Sequence, residues 1–514
     1  MTEYPHSPLF AFARLSAVVL ALFFVSAPAA QSQTDTSSWV GRKVYLKPNA
    51  KKMDGAKIVT TSQMDWDEVV LKEQGPWVYL RDAWVAKSDV MNLNEAFDYW
   101  VDEVRRNPQS ATAWVFRGRC WRERGEHANA LKDFDEAIRL NPKDDGAYNN
   151  RGGTKLATKD YSGAMNDYTE SIRLNPKNHA SYNGRGIARH NSEDYEGAMK
   201  DFNEAILLNQ SYAHAYLNRG ITKRTLKDPE GAMKDFNEAI RLHPSFAIAY
   251  SIRGITKSIL KDHEGAMKDL DEAIRLDPND DSTYHNRGST KLAIKDYSGA
   301  MKDFTESVRL NPKHHPSYNG RGLARNNSKD YEGATKDYNE AIRLNPSYET
   351  AYFNRARTKK TLKDYEGAIK DYNEAIRLNP LDADLFFDRA LTKQQTNDYE
   401  GAMKDINEAI RLAPQDSFNY SLRAQVLSTA NDSSIRNGTS ALSDAKKAAE
   451  LTNFKTRSSL SALACAHAEL GDFNAAVEWQ QKANALLDEN TNEDVRNRYQ
   501  KRLEAFQRNE PYRE

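Results

Sequence analysis

The sequence predicts a mainly α chain: a solenoid of antiparallel helix pairs preceded by a small all-β domain. Three observations predict it. Residues 109–414 divide without a gap into nine blocks of 34. Within each block, small and apolar residues recur at helical spacing on two segments separated by a polar turn. Ahead of the blocks, from Ser38 to about Met91, the helical period gives way to short β-rich runs with turn signals between them.

Counting each block from 1 to 34, position 6 is aromatic throughout, from Trp114 and Tyr148 to Phe386. Position 10 is Gly from Gly118 to Gly322, then Ala356 and Ala390. Glycine in mid-helix costs about 1 kcal/mol, so close approach of the paired helix is expected there. Position 22 is Ala in every block, and position 26 is Phe, Tyr, Leu or Ile. Position 18 is Asp, or Glu126 in the first block, where a side-chain oxygen can cap the second helix. Pro at position 34 stops that helix, with Gln210 the exception.

An aromatic, a small residue, then Ala, Phe/Tyr and Pro at these offsets in a 34-residue period resembles the tetratricopeptide repeat (TPR). The resemblance implies an α-solenoid wound as a right-handed superhelix. No helix pair buries its apolar face alone; stacking does so. One departure from the commonest form is Arg at position 9 of every block, with Lys or Arg mostly at 13 and Asp always at 25. Equal numbers of an invariant cation and an invariant anion predict a partly buried Arg–Asp ladder between helices, a structural device rather than a site.

In chain order, residues 1–29 read as a signal peptide: Arg14 is the positive flank, Ala17–Val25 the apolar core, and Ala27-Pro28-Ala29 the small-residue end. The apolar run is short for a membrane span, so the chain is expected to be exported, periplasmic or secreted into the cell envelope, with no membrane span after cleavage; an uncleaved anchor is the alternative. Residues 30–37 are a polar linker. Residues 38–92 carry β-rich runs at 42–47, 57–61, 68–72, 77–80 and 83–86. The pattern VGRKVYLK, EQGPWVYL and DAWVAKSDV resembles bacterial SH3-like domains, which implies a small barrel that binds peptides or cell-wall components. Trp39, Trp77 and Trp84 can line its cleft, although so small a barrel needs aromatics in its core.

Residues 93–108 align with the second half of a block, placing Ala96 at position 22 and Trp100 at position 26. This orphan helix should cap the solenoid and join it to the β domain. A longer period is also present. Block two resembles block six, and block three resembles block seven, as in SYNGRGIAR against SYNGRGLAR. Residues 415–453 form a degenerate repeat with an insert at 431–439, and residues 454–490 form another. Residues 491–514 form a charged helix suited to covering the last apolar face. Asn437 lies in an N-x-T sequon. Cys120 and Cys465, far apart in the chain, are expected to be separate packed thiols.

The balance of 73 basic and 73 acidic residues gives no net charge to steer the chain onto nucleic acid. No phosphate-cradling loop or nucleophile motif is present, and His314-His315 has no third metal ligand in view. The reading is a non-enzymatic chain without cofactor or metal. The TPR resemblance implies that a protein or peptide segment binds in a concave groove lined by the first helices, at positions 4, 7, 11, 14 and 15. Candidate groove residues are Asn149, Asn183, His285, Asn319, Phe353 and Phe387 at position 7, and His190, Arg224, Asn326 and Lys360 at position 14. The three position-7 asparagines can serve a peptide backbone as donor and acceptor. His190, Arg224 and Lys360 can meet carboxylates. The alternative reading is a cell-envelope protein whose β domain holds a cell-wall ligand while the repeats act as spacer or oligomer contact.

Overall fold

The computed structural model describes residues 90–489 and 491–513, together with strand segments 43–46, 51–54, 57–60, 68–69, 72–74, 77–79 and 84–86. The signal and linker segments and Trp39 lie outside the described residues. The chain forms two compact units, one running to Thr256 and the other from Lys257 onward.

The first unit opens with two small antiparallel sheets. Strand β1 (Lys43–Leu46) sits between β4 (Glu68–Val69) and β8 (Val90–Met91). In the other sheet the order is β3 (Lys57–Thr60), β2 (Lys51–Asp54), β7 (Trp84–Ala86), β6 (Trp77–Tyr79), β5 (Lys72–Gln74). Trp77 and Trp84 fall in paired strands, opposite Ala86 and Tyr79 respectively; their side chains lie outside the described set. Each β-rich run named from the sequence holds a strand. The alternation did not signal β2, whose KKMD carries few apolar residues.

Strands β1 and β8 are docked on helix α1 (Leu93–Arg106). Tyr45 and Met91 share a core with Ala96, Trp100 and Val104 of α1 and with Ala113 and Cys120 of the first repeat. Asn92 caps α1 with a capping box to Glu95, and Trp100 stacks on Phe116 at 4.8 Å. Lys43 Nζ lies 2.7 Å from Glu123 Oε2 in the first repeat. The orphan helix thus joins the strands to the repeats, as its alignment required.

Antiparallel helix pairs follow at 111–140, 145–174, 179–208 and 213–242 in the first unit, and at 281–310, 315–344, 349–378 and 383–412 in the second. Glycine at position 10 meets the position-26 ring: a Cβ on Gly220 would lie 2.5 Å from Phe236 Cε1, and one on Gly186 would lie 2.6 Å from Phe202 Cε1. Position 22 is fully buried wherever it occurs, for example Ala198, Ala232 and Ala368. The turn inside each pair passes through left-handed backbone at position 17, Gly125 (φ 78°) in the first repeat but Lys227 (φ 61°) or Lys363 (φ 63°) in later ones.

The cap at position 18 shows a coupling that periodicity hides. Asp228 Oδ1 accepts from Gly231 N at 2.8 Å, and Asp160 through Asp398 do the same with the residue three places on. That residue is glycine in these repeats, and in this cap geometry a Cβ on Gly231 would sit 2.1 Å from Asp228 Oδ2; where Asp472 caps Ala475, the bond lengthens to 3.1 Å. The first repeat has Glu126 and Asn129 instead, and Glu126 makes no capping bond. The expectation that Glu126 caps is therefore corrected: Glu carries one methylene more than the Asp, Asn and Ser residues that cap the other helices, and it makes no such bond.

The second unit ends with the pairs 417–451 and 457–484 and a final helix at 493–507. Val495, Tyr499, Ala505 and Phe506 bury the last apolar face. The insert is shorter than 431–439 suggests, because a helix begins at Gly438 with Asn437 Oδ1 accepting from Ser440 N at 2.9 Å. Both cysteines are buried, and burial pushes the Cys120 thiol up to about 12. Among the described residues no helix is long and apolar enough to cross a membrane.

Candidate protein-binding face

Position 9 builds the frame on which the face rests. In each of the eight undivided repeats the Arg guanidinium grips the position-25 carboxylate of its own second helix, with Nη2–Oδ1 at 2.6–2.7 Å. Its Nη1 reaches back to the preceding repeat's second helix, as in Arg219 to Asn203 Oδ1 (2.7 Å) and Arg287 to Asp271 Oδ1 (2.7 Å). It also lies over the position-6 ring, Arg219 at 5.4 Å from the Tyr216 centroid. The position-13 cation completes the pairing at 2.8–2.9 Å, as in Lys223–Asp235 and Lys393–Asp405. Where the first repeat has Trp121 at that position, Asp133 keeps only Arg117, and burial pushes its carboxyl above the ordinary carboxylate range. The ladder is as the invariant charges predict, and it also clips successive repeats together.

Positions 7 and 14 lie where neighbouring first helices meet. Asn149 Oδ1 accepts from Ser181 Oγ at 3.0 Å. Asn183 Oδ1 accepts from Asn218 Nδ2, and Asn319 Oδ1 from Asn354 Nδ2, both at 3.0 Å. His190 Nδ1 lies 2.9 Å from Thr222 Oγ1, and Asn326 Oδ1 accepts from Thr358 Oγ1 at 2.9 Å. His285 Nδ1 lies 2.9 Å from Ser317 Oγ. Lys360 Nζ donates to Asp388 Oδ1 at 3.1 Å.

These contacts correct one expectation. Asn183, Asn319, His190, Phe353 and Phe387 do not stand free in a groove; all are buried, Asn319 and Phe387 to 1% exposure. The physical reason is helix spacing: adjacent first helices pack closely enough for a side chain at position 7 or 14 to reach position 5, 8 or 12 of the next repeat. Asn149, His285, Asn326 and Lys360 are half-buried but hold the same kind of bond. Arg224 alone of the eight polar candidates has no side-chain hydrogen bond or ion pair among the described residues, and its Nη1 is sealed from solvent. Sequence reasoning missed the partner half of each pair, most often the donor, although Ser and Thr at positions 5 and 12 were a visible signal.

Burial sets the charge state of the histidines. It holds His190 down to about 4, helped by the nearby Arg224 charge. His285 falls to about 3 through burial and the neighbouring His314 and His315. Both are neutral hydrogen-bonding groups at neutral pH. His314, which turns to Ser317 Oγ at 2.7 Å, is likewise held at about 4 by burial.

The face repeats at long period. Ser171–Ser181 in repeats two and three matches Ser307–Ser317 in repeats six and seven, both at 2.7 Å. His179–Asn209 (3.2 Å) matches His315–Asn345 (3.1 Å). Both of these first-half contacts recur four repeats later.

Position 11 lies between 7 and 14 at helical spacing and carries Leu323, Arg357 and Leu391, all half-buried. Arg357 lies over Phe353 at 5.5 Å.

Family models described as TPR repeat match residues 322–362 and 360–397. Others described as tetratricopeptide repeat match 93–145, 145–178, 213–246, 247–280, 281–314, 383–416 and 456–485. No curated protein sequence matches the chain. Among solved structures, yeast Tom70 is 17% identical with a TM-score of 0.37, covering 78% of this chain and 96% of its own. A tetratricopeptide repeat protein from Parabacteroides merdae is 18% identical with a TM-score of 0.40, covering 49% of this chain and 99% of its own. PilF of Pseudomonas aeruginosa is 20% identical with a TM-score of 0.36, covering 39% of this chain and 92% of its own. The matched segments together span more than half of the sequence and coincide with the helix pairs, and the chain belongs to the tetratricopeptide-repeat family.

Proposed function

We propose that this chain is an exported, non-enzymatic scaffold that holds a protein segment along the face formed by its first helices. The observation that carries this reading is the contrast between an invariant frame and a variable face. Positions 9, 22 and 25 are identical in all nine blocks, whereas positions 7, 11 and 14 change from block to block. Because the position-7 and position-14 polar groups are mostly engaged between repeats, the partner contacts are assigned to Arg224 within the first unit and, separately, to Leu323, Arg357 and Leu391 within the second. The apolar run at 17–25 supports export into the cell envelope. The SH3-like reading of 38–92 is supported by its sequence pattern and by two small antiparallel sheets. The docking of β1 and β8 on α1 favours a second contact module held close to the first repeat.

The test is capture of partners from the native envelope by the full-length chain, identified by mass spectrometry. Leu323→Glu with Leu391→Glu should abolish capture while the circular dichroism spectrum is unchanged. Capture that survives those changes and disappears only when 38–92 is deleted would replace this reading with the cell-wall-binding one. Substrate turnover by the purified chain would overturn both.

A further inference from the structure

Position 14 carries Arg or Lys three times, at Arg122, Arg224 and Lys360. Twice the cation meets position 8 of the next repeat: Arg122 Nη1 donates to Asn150 Oδ1 at 3.3 Å, and Lys360 Nζ donates to Asp388 Oδ1 at 3.1 Å. The equivalent of Asp388 for Arg224 is Ile252, a buried residue that packs with Leu217 and Ile221. Arg224 therefore occupies the same place in the repeat, four repeats before Lys360, without an acceptor. No ion pair reaches it among the described residues, and its Nη1 is enclosed without a hydrogen-bond partner. Burial pushes the guanidinium down to about 10, with no anion to counter it. His190, at position 14 of the preceding repeat, offers no negative charge, since its ring is neutral and its Nδ1 is engaged with Thr222.

We propose that Arg224 anchors an Asp or Glu side chain of the bound protein segment, whose carboxylate takes the place that Asp388 takes beside Lys360. The inference rests on the first-helix face being the partner surface. A desolvated cation left without a partner is costly, and a guanidinium–carboxylate pair relieves that cost with two parallel hydrogen bonds. The enclosure of Nη1 keeps water from that side of the guanidinium and so strengthens the pair. In the second half of the solenoid the chain supplies its own carboxylate; in the first half the partner supplies it. Charge complementarity selects an acidic segment over a basic or neutral one.

A random peptide library with blocked C-termini, selected on the full-length chain, tests this. The selected peptides should share an acidic residue. Changing it to its amide, or making Arg224→Gln, should each weaken binding by about tenfold or more, and the two together should weaken it no further than either alone. Ile252→Asp provides an internal carboxylate and should weaken the same peptides comparably, which keeps the test open if Arg224→Gln misfolds. Peptides that bind Arg224→Gln and Ile252→Asp as tightly as the parent would overturn the acidic anchor and leave the scaffold reading standing. Failure to select any peptide would overturn both.

Discussion

The guanidinium of Arg219 lies bidentate on the carboxylate of Asp235, with Nη2–Oδ1 at 2.6 Å and Nε–Oδ2 at 3.0 Å. Asp235 is 4% exposed, and the same arginine bonds Asn203 of the preceding repeat. One side chain thus ties together its own helix pair and the pair before it.

Arg219→Met leaves Asp235 buried with only Lys223, and also cuts the link to Asn203. The expected loss is about 3 kcal/mol, the lower end of what breaking a buried pair costs, because one cation remains. Guanidinium unfolding followed by circular dichroism measures it. Arg219→Met with Asp235→Leu should recover much of the loss, since no buried charge is then left alone; a double variant as unstable as the single one would contradict the pairing.

The buried histidines make the fold acid-sensitive. His190 and His285 have folded values of about 4 and about 3, below the ordinary 6.5. The unfolded chain therefore binds more protons than the native one between those limits. The stability these groups contribute is complete above pH 6.5 or so and is lost as pH falls toward 4. The loss at His190 is of the order of 3 kcal/mol at 1.36 kcal/mol per pKa unit. The chain contains its own controls four repeats away: Asn326 meets Thr358 as His190 meets Thr222, and Asn149 meets Ser181 as His285 meets Ser317. His190→Asn with His285→Asn should flatten the decline of melting temperature between pH 7 and pH 4. A decline as steep as the parent's would place the acid sensitivity elsewhere.

The cap and its glycine act as a unit. Gly231→Ala brings a Cβ to within 2.1 Å of the present Asp228 Oδ2 position. The cap should then shift to the longer form seen at Asp472–Ala475, weakening a bond worth about 1 kcal/mol against a helix gain of similar size. Conversely, Glu126→Asp with Asn129→Gly installs the missing cap in the first repeat and should gain about 1 kcal/mol, less the helix penalty of the new glycine. Thermal melts of the two variants check both outcomes.

Left-handed backbone at position 17 holds lysine at a steric cost. Lys227→Gly should relieve roughly 1 kcal/mol of it, offset in part by the freer unfolded chain. A stability decrease would show that the Lys227 side chain makes a contact that outweighs its backbone strain.

Much of this molecule was legible in its sequence. Period 34, alanine at 22 and glycine at 10 determined helix pairs packed ring against glycine, because helical spacing forces those residues onto one stripe. Arg at 9 and Asp at 25 determined a buried ladder, because invariant opposite charges need each other once desolvated. The sequence likewise determined that the helix at 93–106 caps the stack. Only the tertiary structure decided which variable side chains are available. Positions 7 and 14 vary as a binding surface would, yet most of their polar side chains reach across to the next repeat. The distance between neighbouring helices is set by packing and not by any local pattern. That same spacing places Lys360 against Asp388, whereas Arg224 finds Ile252 at the equivalent position of its next repeat and has no ion pair among the described residues.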